Sequence, residues 1–194
     1  LGLALLGSAI YVATVWSERE VPHQRKLVDG VHSIFAQPVT MIDGSHMIGS
    51  FPKRGFFMST WGMTNYRRGE PVFSEILRRE TVPFLLLNNG QMAEAVGAPG
   101  YVLQPTDLRL FDEDRAVLRD NYIEHWGPVW VAGKRLAGGQ SGFTILIPGR
   151  YTLEASAEGH AKTTLPGLEV PESGAAVDFG KVEVVPAVAI HGRV

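Results

Sequence analysis

The sequence predicts an α/β fold: a layered mixed sheet with flanking helices, preceded by the end of a transmembrane helix and followed by a short β-sandwich-like module. Three observations predict it. Residues 1–16, LGLALLGSAIYVATVW, carry no charge. The middle of the chain runs helix, strand, helix, strand by periodicity. Beyond residue 138 the pattern changes to short alternating runs punctuated by glycine and proline. These shifts divide the chain into 1–16, 17–137 and 138–194.

The 194 residues suffice for one sizeable core or for a core plus a small module. Hydrophobic residues make up 45% and charged residues 20%, the balance of a folded chain. A net charge of -2, with no concentrated Lys/Arg surface, argues against a nucleic-acid partner. There is no cysteine, hence no disulfide framework and no thiolate zinc site.

A spanning helix needs about 20 apolar residues, so residues 1–16 read as the end of one. No Arg/Lys-rich stretch precedes them and no small-residue cleavage site follows, which argues against a signal peptide. Trp16 suits the interface, where an indole is half in lipid and half wet. The charged stretch 17–26 then leaves the membrane. The competing reading is a buried core helix.

The run Pro38-Val39-Thr40-Met41-Ile42 predicts a short buried strand ended by the Asp43-Gly44 turn. Residues 51–55 read as a loop and 55–61 as a second strand. A helix is predicted over 70–80, with Pro71 at its first position and Val72, Phe73, Ile76 and Leu77 on one face. Glu75 and Arg79 would pair across one turn. Pro83 stops the helix. Phe84-Leu85-Leu86-Leu87 is apolar on both faces, as in a strand covered on both sides. A second helix is predicted over 110–122, with Asp112 as N-cap and Glu113 and Asp114 favoured by the helix dipole. Residues 129–132 predict the next strand. Residues 138–142 form a linker by composition. The tail strands are expected at 143–147, 151–157, 176–185 and 188–190.

Two stretches carry a resemblance: MIDGSHMIGSFPKRGFFMSTWGMTNYRRGEPVFSEILRRETVPFLLLNN and DRAVLRDNYIEHWGPVWVAGKRL. Across 39–136 the chain resembles the C-terminal soluble region of bacterial membrane glycosyltransferases. These belong to the superfamily of protein O-mannosyltransferases and lipid A aminoarabinose transferases. The resemblance implies sugar transfer from a polyprenyl-phosphate donor, in an inner-membrane protein whose soluble domain lies on the periplasmic or outer side. That family keeps its catalytic acids in an early loop between transmembrane helices. No such loop occurs in this sequence, so no catalytic residue carries over. The tail, with Pro148, Gly149, Tyr151, Leu153, Ala157 and Gly159, looks like a carboxypeptidase-regulatory-like β-sandwich, a module that is usually noncatalytic. Its IPGRYTLE segment also fits the transferase-type C-terminus, which leaves the domain boundary open.

Candidate residues follow from chemistry and place. Asn88 and Asn89 follow the most apolar strand, and ligands of open α/β sheets bind beyond the carboxyl ends of strands. Amide side chains suit sugar hydroxyls, while Asn-Gly is equally a plain turn pair. Tyr66, His125, Trp126 and Trp130 read either as an aromatic platform for sugar or lipid headgroup, or as core and interfacial anchors. Arg67 and Arg68 stand beside Tyr66 and read as a solvated helix entry or a phosphate contact. The six histidines form no H-x-H or H-E-x-x-H pattern. Asp43 and His46 lack a third ligand, so no metal is assigned. No serine lies in a G-x-S-x-G context, and no cofactor is implied.

The expected role is a noncatalytic soluble part of a membrane glycosyltransferase, supporting its catalytic core or the acceptor. The alternative is a membrane-anchored envelope scaffold or binding protein with a β-sandwich module. Partners expected are membrane lipid through residues 1–16, the rest of the parent protein, and carbohydrate. Expression of residues 27–194 should give soluble protein while the whole chain needs detergent. Partition of the whole chain into the detergent-free soluble fraction would refute the membrane segment.

Overall fold

The computed structural model describes residues 21–100, 103–104, 107–138 and 143–172. The expected transmembrane segment at 1–16 and the expected strands at 176–185 and 188–190 lie outside them. So do residues 139–142 of the linker. Among the described residues no helix is long and apolar enough to cross a membrane.

The chain runs α1 (Val21–Ile34), β1 (Met41–Asp43), β2 (Lys53–Arg54), α2 (Thr60–Tyr66), α3 (Phe73–Arg79) and β3 (Phe84–Leu86). It continues with α4 (Gly90–Val96), α5 (Asp112–Asn121), β4 (Tyr122–Trp126), β5 (Val129–Ala132), β6 (Gly149–Ala155) and β7 (Thr163–Val170). Strands β2-β1-β3-β5-β4 form one mixed sheet, with β6 and β7 paired separately. Strands β1, β2 and β3 run parallel, and β5 opposes both β3 and β4. The α/β class and the layered mixed sheet are therefore as the sequence predicts, with β3 at the centre.

Alternation along the strands builds two cores. Ile42 and Leu85 point into a cluster with Tyr66, Phe73, Leu77, Met92 and Leu118, so α2 to α5 cover that face. Met41, Phe84, Leu86 and Val129 point the other way, onto Leu27 and Val31 of α1. Three phenylalanines fill that second core. Phe35 stacks on Phe84 at 4.7 Å, and Phe51 meets Phe84 edge-on at 5.7 Å. A strand buried on both sides reads as a continuous apolar run, which is why Phe84 to Leu87 was legible.

Other elements differ from expectation. Residues 55–61 do not form a strand. Gly55 turns left-handed at φ +83°, the Met58 amide bonds back to the Gly44 carbonyl at 2.8 Å, and α2 begins at Thr60. Ser59 caps that helix by accepting from the Gly62 amide at 3.1 Å. A Cβ on Gly62 would lie 1.8 Å from the Phe57 carbonyl oxygen, so this tight entry admits only glycine. The edge strand β2 falls at Lys53–Arg54, inside the expected loop. Pro71 precedes α3, whose N-cap is Val72, and the N-cap of α5 is Phe111 with Asp112 just inside. The Glu75–Arg79 pair forms at 2.5 Å, though both side chains are largely exposed.

Helices α1 and α4 and strands β4 and β7 were not anticipated. In α1, Leu27 and Val31 bury one stripe, and Gly30 lets the Trp126 ring lie against the helix. A Cβ there would come within 2.6 Å of it. Because α1 starts at Val21, a fragment beginning at residue 27 loses its first turns, and residue 21 is the better start. Between β5 and β6, Ile147 is buried in the four-helix-side core, and the Leu146 amide bonds the Asn121 side chain at 3.1 Å. Of the β-rich module, the described residues show the antiparallel β6–β7 pair.

Leu86 is fully buried at the centre of the sheet. Leu86→Ala should destabilise the domain by about 2–5 kcal/mol, through lost burial and the cavity left behind. Chemical denaturation followed by circular dichroism reads the change, and an unmoved midpoint would exclude a central β3.

Candidate functional site

The parallel strands β1 and β3 end side by side at Asp43 and Leu86. That edge is where open α/β sheets bind ligands. Asp43 is fully buried there. One carboxylate oxygen accepts from the His46 amide at 2.6 Å, the other from the Met47 amide at 2.8 Å. The Lys53 ammonium stands 3.6 Å away with little exposure, which compensates the buried charge. The loop curls tightly enough to hold His46 at φ 56°, uncommon for a residue with a side chain. Asp43 thus organises backbone amides, including that of His46.

Asn88 closes the same corner. Its carbonyl oxygen accepts from the Gly44 amide at 3.0 Å, and its Nδ2 donates to Ser45 Oγ at 2.7 Å and Asp43 Oδ2 at 3.3 Å. Asn89 is the N-cap of α4, accepting from the Met92 amide at 2.9 Å. A Cβ on Gly44 would lie 1.7 Å from Asn89 Nδ2, so the two loops are in close contact. Both asparagines sit where the sequence puts them, beyond the central strand, with these side-chain atoms bonded within the fold.

Tyr66 lies in the four-helix-side core, away from the strand ends. Its hydroxyl donates to Asp114 Oδ2 at 2.6 Å and accepts from the Phe111 amide at 2.7 Å. Burial, then the Asp114 bond, raises its pKa well above the usual tyrosine value. Phe56 stacks on its ring at 4.6 Å. Arg67 is exposed and lies over the Phe111 ring, 4.3 Å from its centre.

The remaining aromatic candidates separate. His125 and Trp126 are exposed on β4, the free edge of the sheet. A register shift between Glu124 and Trp126 turns Trp126 to the face covered by α1. Trp130 pairs with Glu124 and Leu85 and faces the opposite core. The structure therefore brings Asn88 and Asn89 together, and His125 beside Trp126, but does not assemble Tyr66, Trp126 and Trp130 into one platform.

A different cleft forms on the four-helix side of the β4–β5 hairpin. It is about 340 Å³, floored by Trp130 and rimmed by Arg119, Asp120, Glu124, Lys134 and Arg135. A second hollow of about 330 Å³ continues it, sharing Pro99, Glu124 and Trp130. Both fall in the size range of small-molecule sites. Part of the signal for it is present in the sequence. Gly127-Pro128 is a turn pair that predicts the hairpin, but regular pairing from that turn sets Glu124 opposite Val131; the register shift that brings Glu124 opposite Trp130 has no sequence signature. Among the described residues no group of three or more His, Asp and Glu side chains is arranged to hold a metal.

Asn88→Ala removes three side-chain bonds and leaves the Gly44 amide without its acceptor. It should cost about 1–3 kcal/mol, and Asn89→Ala about 0.5–2 kcal/mol through loss of the cap. Urea titration checks both, and unchanged stability in both variants would free these residues from a structural role.

Compared with known proteins, the chain matches no family model, no curated protein and no solved structure.

Proposed function

We propose that the chain is a noncatalytic soluble part of a polyprenyl-phosphate-dependent membrane glycosyltransferase, supporting the membrane catalytic core or contacting the acceptor. The resemblance of residues 39–136 supplies the transferase half of this reading. One structural observation carries the noncatalytic half: the groups best placed for chemistry are engaged in holding the backbone. Asp43 accepts two amides and faces Lys53, Asn88 bridges two loops, and Asp114 accepts two amides and the Tyr66 hydroxyl. A general base must reach its proton in a substrate pose, and a carboxylate already saturated by backbone donors is poorly suited to that.

What remains outward-facing suits contact. Phe57 is 55% and Trp61 78% exposed, close to the β1 corner through the bond between Met58 and Gly44. The tryptophan-floored cleft lies at the β4–β5 hairpin. The second reading, an envelope scaffold or binding protein, draws on the same surfaces without the resemblance.

Incubated with a polyprenyl-phosphate sugar and a panel of acceptors, purified residues 21–194 should give no transfer. Turnover abolished by a single Asp or His substitution within this chain would make it an enzyme in its own right and overturn the reading.

A further inference from the structure

We propose that the cleft between β4–β5 and the ends of α4 and α5 is a saccharide-binding site that stacks an uncharged sugar ring on Trp130. The inference deepens the acceptor-contact half of the reading above and rests on it only for what the sugar belongs to. The argument for the ligand class is chemical. The floor is an indole, partly exposed and fixed by its β-strand, and a sugar ring presents apolar C–H faces that suit such a surface. The rim carries both signs of charge: Arg119 and Asp120 from α5, Glu124 from β4, and Lys134 and Arg135 just after β5.

The charges of Arg119, Asp120, Glu124 and Arg135 pair with no other group among the described residues. Among the described residues, Lys134 donates to the Thr144 carbonyl at 3.2 Å. An anionic ligand would meet Asp120 and Glu124, and a cationic one would meet three basic groups. A neutral polyol satisfies both sets, because each hydroxyl both donates to a carboxylate and accepts from a guanidinium. Glu124 and Trp130 are direct cross-strand partners, so their Cβ atoms stand about 5 Å apart on one face, which puts the Glu124 side chain beside a sugar stacked on the ring. The adjoining hollow, which shares Glu124 and Trp130, gives room for a second ring.

The test uses the full chain, held in a detergent without a sugar headgroup. The probes are mannobiose, maltose and chitobiose, with inorganic phosphate as the anionic comparison. The readout is the indole N–H resonance of Trp130 in a proton–nitrogen spectrum, identified by its disappearance in Trp130→Phe. At least one disaccharide should shift it saturably. Glu124→Gln and Arg119→Gln should each weaken that binding roughly fivefold or more, one lost polar contact apiece. Arg25→Gln, exposed on α1 across the sheet from the cleft, should leave it unchanged. Three outcomes overturn the proposal: no saturable shift with any of the three sugars, a shift indifferent to both rim substitutions, or a shift produced by phosphate instead. Failure of the noncatalytic reading appears elsewhere, as turnover by the chain itself, and leaves sugar binding at Trp130 unaffected.

Discussion

The helical side of the domain depends on one buried carboxylate. Asp114 is fully buried, yet it accepts three hydrogen bonds: from the Val72 amide at 2.9 Å, the Phe73 amide at 2.8 Å and the Tyr66 hydroxyl at 2.6 Å. A carboxylate in an apolar interior is costly unless its oxygens are satisfied. Here two of its donors are amides at the start of α3, where the helix dipole also favours negative charge. Val72 offers no side-chain cap, so a residue from α5 caps α3. Tyr66 extends the link to α2, and through its oxygen to the Phe111 amide at the start of α5. Three helices are thereby fixed relative to one another by a single side chain.

Asp43 does the corresponding work at the strand ends. It lies on the opposite side of the sheet from Ile42, where β1, β2 and β3 meet, and its charge is balanced by Lys53 from β2 and by amides of its own loop. Asn88 then ties the end of β3 to that loop. Each aspartate replaces the hydrophobic contact that short elements cannot supply. Strands of two or three residues and helices of seven hold together only if their ends are pinned.

That brevity explains what was legible in the sequence. The central strand was readable because burial on both faces demands apolar residues at every position, and Phe84, Leu85 and Leu86 supply them. The 73–79 helix was readable from its apolar face and its proline stops. Helix α4 was not, since Asn89-Gly90 is equally a turn pair and an N-cap followed by the first helical residue; only the Asn89–Met92 bond distinguishes them. The run 55–61 misled because two phenylalanines and a methionine look like strand, while Phe57 is more than half exposed. Long-range capping has no sequence signature. Nothing near Val72 announces that its acceptor lies 42 residues later. For the same reason Tyr66 reads as an aromatic contact residue until its hydroxyl is found in that network.

The β4 register shift decides where recognition chemistry can gather. Without it, Trp126 would share a face with Glu124, as strict alternation requires. With it, one tryptophan packs over Gly30 of α1 and the other floors the cleft on the far side of the sheet. The cleft rim also breaks a local rule. Asp120 sits in the last turn of α5, where the dipole disfavours negative charge, and among the described residues it has no cationic partner to offset that. Asp114 in the same helix is buried, in the favourable first turn and fully bonded. One helix therefore carries a carboxylate that stabilises the fold and another whose position does not. Departures from local consistency concentrate at functional sites. The unpaired carboxylate beside an open, tryptophan-floored hollow is such a departure, whereas Asn88, Asn89 and Tyr66 each satisfy the fold where they stand.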